Sequence, residues 1–179
     1  MLNKSFGWIL VAFFCVAVMF VVVPSVLFQL AWNSGDIAHK SDAELIAHFQ
    51  KNREKIEQLL QMVKAEQNLE RVDNDWTLPK TPEDAGVSAG RIYQYRRIFK
   101  ELEIPRGFYA YHKPQIFVFI SSSQGLAVGG SSKSYVWQKI PPENLVEDID
   151  KYQNGELNYK GYPVYRRIEG NWYLCFNAE

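Results

Sequence analysis

GFYAYHKPQIFVFISSSQGLAVGGSSKSYVWQKI, residues 107–140, is where the chain changes its periodicity. Before it, apolar residues recur every three or four positions; within it they alternate, and aromatic and β-branched side chains dominate. Alternation with period two is the signature of a strand with one buried face. The pattern predicts strands over residues 108–111, 115–121 and 134–140, followed by 162–168 and 172–176. His112-Lys113-Pro114 and Glu169-Gly170-Asn171 supply hairpin connections. Between the third and fourth strands runs PPENLVEDIDKY. Its prolines fit a helix start, and Leu145, Ile149 and Tyr152 are spaced for a short helix.

Upstream the signals are helical. Ser41-Asp42-Ala43-Glu44 matches the S-x-x-E capping box, in which the two side chains satisfy each other's backbone amides. Leu45, Phe49, Ile56, Leu59, Leu60 and Val63 follow at helical spacing and predict one amphipathic helix over residues 42–67. The same stripe, with Asn52 as a polar seam residue, fits a short coiled coil and hence a homodimer. Ile46 and Leu60 widen it, as expected of a helix lying on a globular core. Residues 73–87 hold two prolines and several turn formers and read as a loop. Ser88 is an N-cap candidate for a second helix carrying Ile92, Tyr95, Ile98, Phe99 and Leu102, which Pro105 and Gly107 stop.

The chain begins differently. Residues 6–32, FGWILVAFFCVAVMFVVVPSVLFQLAW, contain no charged side chain. About twenty apolar residues span the hydrocarbon core, so this stretch predicts a transmembrane helix with Trp8 and Trp32 near its ends. Gln29-Leu30-Ala31 is a poor cleavage site, and Cys15 follows two phenylalanines rather than a lipobox, so an uncleaved signal anchor is expected. Lys4 on the short leading side places the N-terminus inside and the following domain outside, in a bacterial periplasm or its equivalent. The organisation expected is therefore tail and span over 1–32, linker over 33–40, and one soluble domain over 41–179. The fold class expected is α+β: an antiparallel sheet of about five strands with two to three helices packed on it, after one N-terminal transmembrane helix.

Composition excludes several functions. All 20 acidic residues and 19 of the 20 basic ones follow the apolar run, so that part is near neutral and has no basic face for nucleic acid. Arg96-Arg97 and Arg166-Arg167 are local doublets. Cys15 lies in the apolar run and Cys175 near the far end, which rules out a stapled disulfide scaffold. GLAVGGSSKS (125–134) lacks P-loop spacing, because Ser131 and Ser132 separate Gly130 from Lys133 and a strand pattern follows; it reads as a turn. His39, His48 and His112 are too scattered for a metal site. Glu143, Glu147, Asp148 and Asp150 read as a solvated acidic patch. No cofactor and no catalytic constellation is implied.

The aromatic residues of the strand half remain. Amphipathic rings bury area while keeping a polar handle, so Tyr135, Trp137, Tyr165, Trp172 and Tyr173 are the candidate partner-binding residues. SDAELIAHFQKNREKIEQLLQM, GSSKSYVW and YRRIEGNWYLCF together resemble a group of small bacterial envelope proteins with a single anchor or lipoprotein signal. That resemblance covers nearly the whole soluble domain; it implies an envelope location and carries no catalytic residues. The function expected is a membrane-anchored, non-catalytic module that binds another envelope protein. An immunity-type protein against a periplasmic toxin is a special form of it. An enzyme using Lys133 and the serines of 131–134 is the alternative, and it requires a pocket where Lys133 meets a carboxylate or histidine.

Overall fold

The computed structural model describes residues 38–126, 129–156 and 163–178. Residues 37–179 form one compact unit. The element order is α1 (Asp42–Lys51), α2 (Arg53–Ala65), β1 (Arg71–Val72), β2 (Thr77–Leu78), a 3-10 turn (Pro82–Ala85), α3 (Ala89–Glu101), β3 (Phe108–Tyr111), β4 (Ile116–Leu126), β5 (Gly129–Gln138), α4 (Asp150–Gln153), β6 (Val164–Glu169) and β7 (Trp172–Ala178). All seven strands join one sheet in the order β2-β1-β3-β4-β5-β7-β6, and every pairing is antiparallel.

The expected count of about five strands and two to three helices is corrected to seven strands and four α-helices among the described residues. β1 and β2 are two residues each, too short to show a period. They form because Asp73 N–H donates to the Trp76 carbonyl, closing a tight hairpin inside what reads as loop. The first helix is two helices. At Asn52 the backbone leaves helical geometry and the side-chain amide donates to the His48 carbonyl at 3.0 Å, a local bond that competes with the helix ladder. The 141–152 helix shrinks to α4; Leu145 instead bridges to Tyr165. The transmembrane helix expected over residues 6–32 lies outside the described residues. Among the described residues no helix is long and apolar enough to cross a membrane.

Both expected N-caps form: Ser41 and Glu44 make the reciprocal capping box, and Ser88 Oγ accepts from Arg91 N–H. The helical stripe Leu45, Phe49, Ile56, Leu59, Leu60 and Val63 is buried in the chain's own core. There Phe49 packs on Tyr135 and Trp172, while Tyr95 and Phe99 of α3 pack on Phe108. One face of the sheet is thus covered by helices and carries Phe108, Phe117, Phe119, Tyr135, Leu174 and Phe176. The intervening residues necessarily point the other way.

A bulge interrupts this alternation. Ile120 pairs with Ser134 but Ser122 pairs with Lys133, leaving Ser121 as the extra residue, its hydroxyl donating to the Lys133 carbonyl. One inserted residue reverses every later side chain. Ser122 therefore faces the helices, and Ser123 faces away with Ile120.

Gly107, between α3 and β3, sits at φ +61, and a Cβ there would lie 1.9 Å from the Val72 carbonyl oxygen. Gly86 has a similar φ of +74 with nothing within 4 Å of a Cβ. Gly86→Ala should cost about 1–2 kcal/mol, the left-handed backbone penalty alone. Gly107→Ala should cost about 2–5 kcal/mol, because a backbone clash adds to it. Urea unfolding of the two variants side by side measures the difference, and equal costs would show that the hairpin of β1 gives way freely.

Candidate functional site

Two features built by the sheet concern function: a buried charge cluster on the helix side and a groove on the other side.

The cluster centres on Lys133 of β5, which is 0% exposed. It lies two residues before Tyr135 and four before Trp137, so the strand period carries it onto the same face as those rings. Its Nζ reaches Asp42 Oδ1 at 2.7 Å, Asp150 Oδ1 at 2.6 Å, the Lys40 carbonyl at 3.0 Å and Gln153 Oε1 at 3.2 Å. Asp42, the first residue of α1, also accepts from Arg166 Nη1 and from the Ile149 amide, both at 2.9 Å. Its own amide donates to Asp150. Burial pushes the Asp42 carboxyl up, but the hydrogen bonds from Lys133, Arg166 and the Ile149 amide outweigh it and hold the group below its ordinary value.

The enzyme alternative requires Lys133 to meet a carboxylate in a pocket, and the geometry meets only half of that. The ammonium does meet two carboxylates, but its three N–H donors face four acceptors, and Lys133 lines none of the described cavities. Such an ammonium has no lone pair to offer. Asp42, Asp148 and Asp150 each bring a carboxylate oxygen within 4.8 Å of one another. Lys133 Nζ already stands against two of them, Asp42 and Asp150. The serines separate as well: Ser122 and Ser131 bond His39 Nδ1 at 2.7 Å and Nε2 at 2.8 Å, whereas Ser132 and Ser134 face the groove. Burial first, and then the Lys133 charge, lower the His39 pKa to about 4.

The groove occupies the opposite face. It has a volume of ≈ 770 Å³ and is floored by Val118, Ile120, Ser134, Val136 and Cys175. Arg71, Trp76 and Tyr109 border it toward one end of the strand order, and Tyr165 and Pro163 toward the other. A flat sheet would hold β1 and β6 roughly 24 Å apart at five strand spacings, so their sharing of one cavity reflects a curled sheet.

The five aromatic candidates do not form one surface. Tyr135, Trp137 and Trp172 belong to the helix-covered face: Tyr135 hydroxyl donates to the Leu45 carbonyl, Lys64 lies 3.4 Å over the Trp137 ring, and Trp172 Nε1 donates to Glu57. Tyr173 points to the other face but is buried, and Tyr165 lines the groove. Sequence reasoning missed the groove's Arg71, Arg106, Trp76, Tyr109 and Tyr111. Arg71 sits on a strand of two residues, which leaves no pattern to read. Tyr109 and Tyr111 alternate with Phe108 and Ala110, and that signal was available.

Removing either member of the Lys133–Asp42 pair leaves an uncompensated buried charge, so Lys133→Met and Asp42→Asn should each cost about 3–5 kcal/mol. The double variant should cost clearly less than their sum; additivity in urea unfolding would show that the pair is not coupled. His39 adds a pH dependence. Its folded pKa of about 4 lies below the unfolded 6.5, so the unfolded chain binds the extra proton between those values. Stability is thus expected to rise from about pH 4 to 6.5, and His39→Gln should flatten that rise by ~1 kcal/mol, a figure reduced for the ring's partial exposure. His48, also lowered by burial, retains a smaller slope of the same sign. An unchanged profile in His39→Gln would overturn the assignment.

No family model, no curated protein and no solved structure matches the chain, so both features stand on their own geometry.

Proposed function

We propose that this chain is a non-catalytic binding module, held at a membrane by residues 6–32, that docks another protein in the groove of its curled sheet. The single observation that carries the reading is the groove itself. It is a concavity of ≈ 770 Å³ on the face opposite α1 and α3, bordered by Trp76 and Tyr111, which are 45% and 53% exposed. Exposed aromatics around a recess are what interface hot spots are made of. The buried lysine cluster supports the same reading, since its ammonium and carboxylates are engaged with one another. The envelope location rests on the uncharged run and on the three segments that resemble small envelope proteins. With Lys4 inside, the domain lies on the outer side of the membrane.

A photoreactive residue placed at Tyr111 or at Tyr165 in the full chain, in intact cells, is expected to give a defined protein adduct. The same residue at Tyr93, which is 72% exposed on α3, should not. Ser132→Trp, which fills the groove, should abolish the adduct. Labelling from Tyr93 equal to that from the groove, or no adduct from either groove position, would overturn the docking reading. A C-terminal reporter active only after export checks sidedness independently.

A further inference from the structure

The charges bordering the groove do not balance. Arg71 is 3% exposed, and its guanidinium lies 3.6 Å over the Tyr109 ring and 5.2 Å from the Trp76 ring. Its Nη2 donates to Asp73 Oδ2 at 2.5 Å and to the Arg106 carbonyl at 3.0 Å. Its Nε and Nη1, which carry three N–H donors, find no acceptor among the described residues. Buried donors are rarely left so, and a charged one least of all. Asp73, the one carboxylate among the described residues lining the groove, is already engaged through its other oxygen by the Asn74 amide. Arg106 lines the same wall. Its Nε donates to Ser123 Oγ at 3.3 Å, and no carboxylate among the described residues pairs with it. Among the described residues that line the groove, two arginines against one aspartate leave one positive charge. Beside them Tyr109 and Tyr111 stack at 6.4 Å and 14°, an apolar platform next to the unused donors.

We propose, resting on the docking reading above, that the groove recognises an acidic peptide segment: one Asp or Glu carboxylate sits between Arg71 and Arg106 while neighbouring residues lie along Tyr109 and Tyr111. The charge count chooses a carboxylate over a phosphate. A monoanion closes the imbalance, whereas a dianion overshoots it against Asp73. The volume chooses a peptide over a lone ion, since ≈ 770 Å³ lies within the range that holds a drug-sized ligand or several side chains. Trp76 stands at the same end of the groove, its half-exposed indole 5.2 Å from the guanidinium. A guanidinium already stacked on tyrosine is held in place for this, so little side-chain order is lost on binding.

The test is selection of a displayed random octapeptide library on the full chain in detergent. Enriched peptides are expected to share one Asp or Glu. Changing it to Asn or Gln in the synthetic peptide should weaken binding about tenfold, the size of a charge-assisted contact. Arg106→Gln should weaken binding by a similar factor, and so should Arg71→Lys, which keeps the charge but loses the stacked plane. Because Arg71 is buried, Arg106→Gln carries the result if Arg71→Lys fails to fold. Trp76 emission should change on binding, a response that Trp76→Phe removes. Enriched peptides without an acid, or displacement of the peptide by millimolar inorganic phosphate, would overturn the carboxylate assignment. So would no enrichment while groove adducts still form in cells, and the docking reading would then survive. Loss of those adducts as well would overturn both.

Discussion

Lys133 is the constraint on which the arrangement of this domain depends. A fully buried ammonium is tolerated only where carboxylates and carbonyls replace its water. The groups that do so come from Lys40 and Asp42 at the start of α1 and from Asp150 and Gln153 of α4. Arg166 of β6 completes the set through Asp42. Each lies far from Lys133 in sequence or on a separate element, and loss of either carboxylate would strand charge. The cluster therefore fixes where the chain enters the domain and where the irregular segment after β5 returns to the sheet. Ser122, turned toward the helices by the bulge, and Ser131 hold His39 beside the same entry point. Such a cluster is weak evidence for high stability. It is better understood as specifying one arrangement of the entering chain and the closing strands.

The two sheet faces divide the work. On one, aromatic rings from α1, α3 and the central strands interlock, with Phe49, Phe99, Phe108 and Phe119 buried together. The other face receives no helix among the described residues. Its central residues Val136 and Tyr173 are nonetheless buried. Curling makes the groove, and the short β1–β2 hairpin at one end brings Arg71 and Trp76 to its rim. The functional reading thus follows from the uncovered face, where polar and aromatic groups converge, rather than from the saturated charges on the covered one.

How much of this was legible is clearest at particular residues. Ser41 with Glu44, and Ser88, marked helix starts because capping is a contact between residues three apart. Residues 108–111 read as a strand with the bounds observed, since Phe108 and Ala110 bury one side while Tyr109 and Tyr111 take the other. The Gly-rich segment read as a turn is mostly strand: Gly129 to Ser134 pair across to β4, which alternation could not show through glycines and serines. Lys133 suffered for the same reason. The turn reading assigned it to neither face, whereas counting back by twos from Trp137 and Tyr135 puts it in the core. The helix break at Asn52 depends on one side-chain amide competing with the backbone, a balance that apolar spacing does not report.

By itself the sequence determined what depends on neighbours within a few residues: the uncharged run of 6–32, the helix caps, the amphipathic stripe, and the change to period two at residue 108. Tertiary structure alone decided how the strands are ordered beyond the hairpins at 112–114 and 169–171, that residues 71–72 and 77–78 are strands at all, and which polar groups meet. Lys133 and Asp42 stand 91 positions apart, and Arg71 and Tyr109 stand 38 apart. The attraction between such groups depends on distance through space and on the water excluded around them. Both quantities are set only when the sheet closes, and no local pattern encodes either.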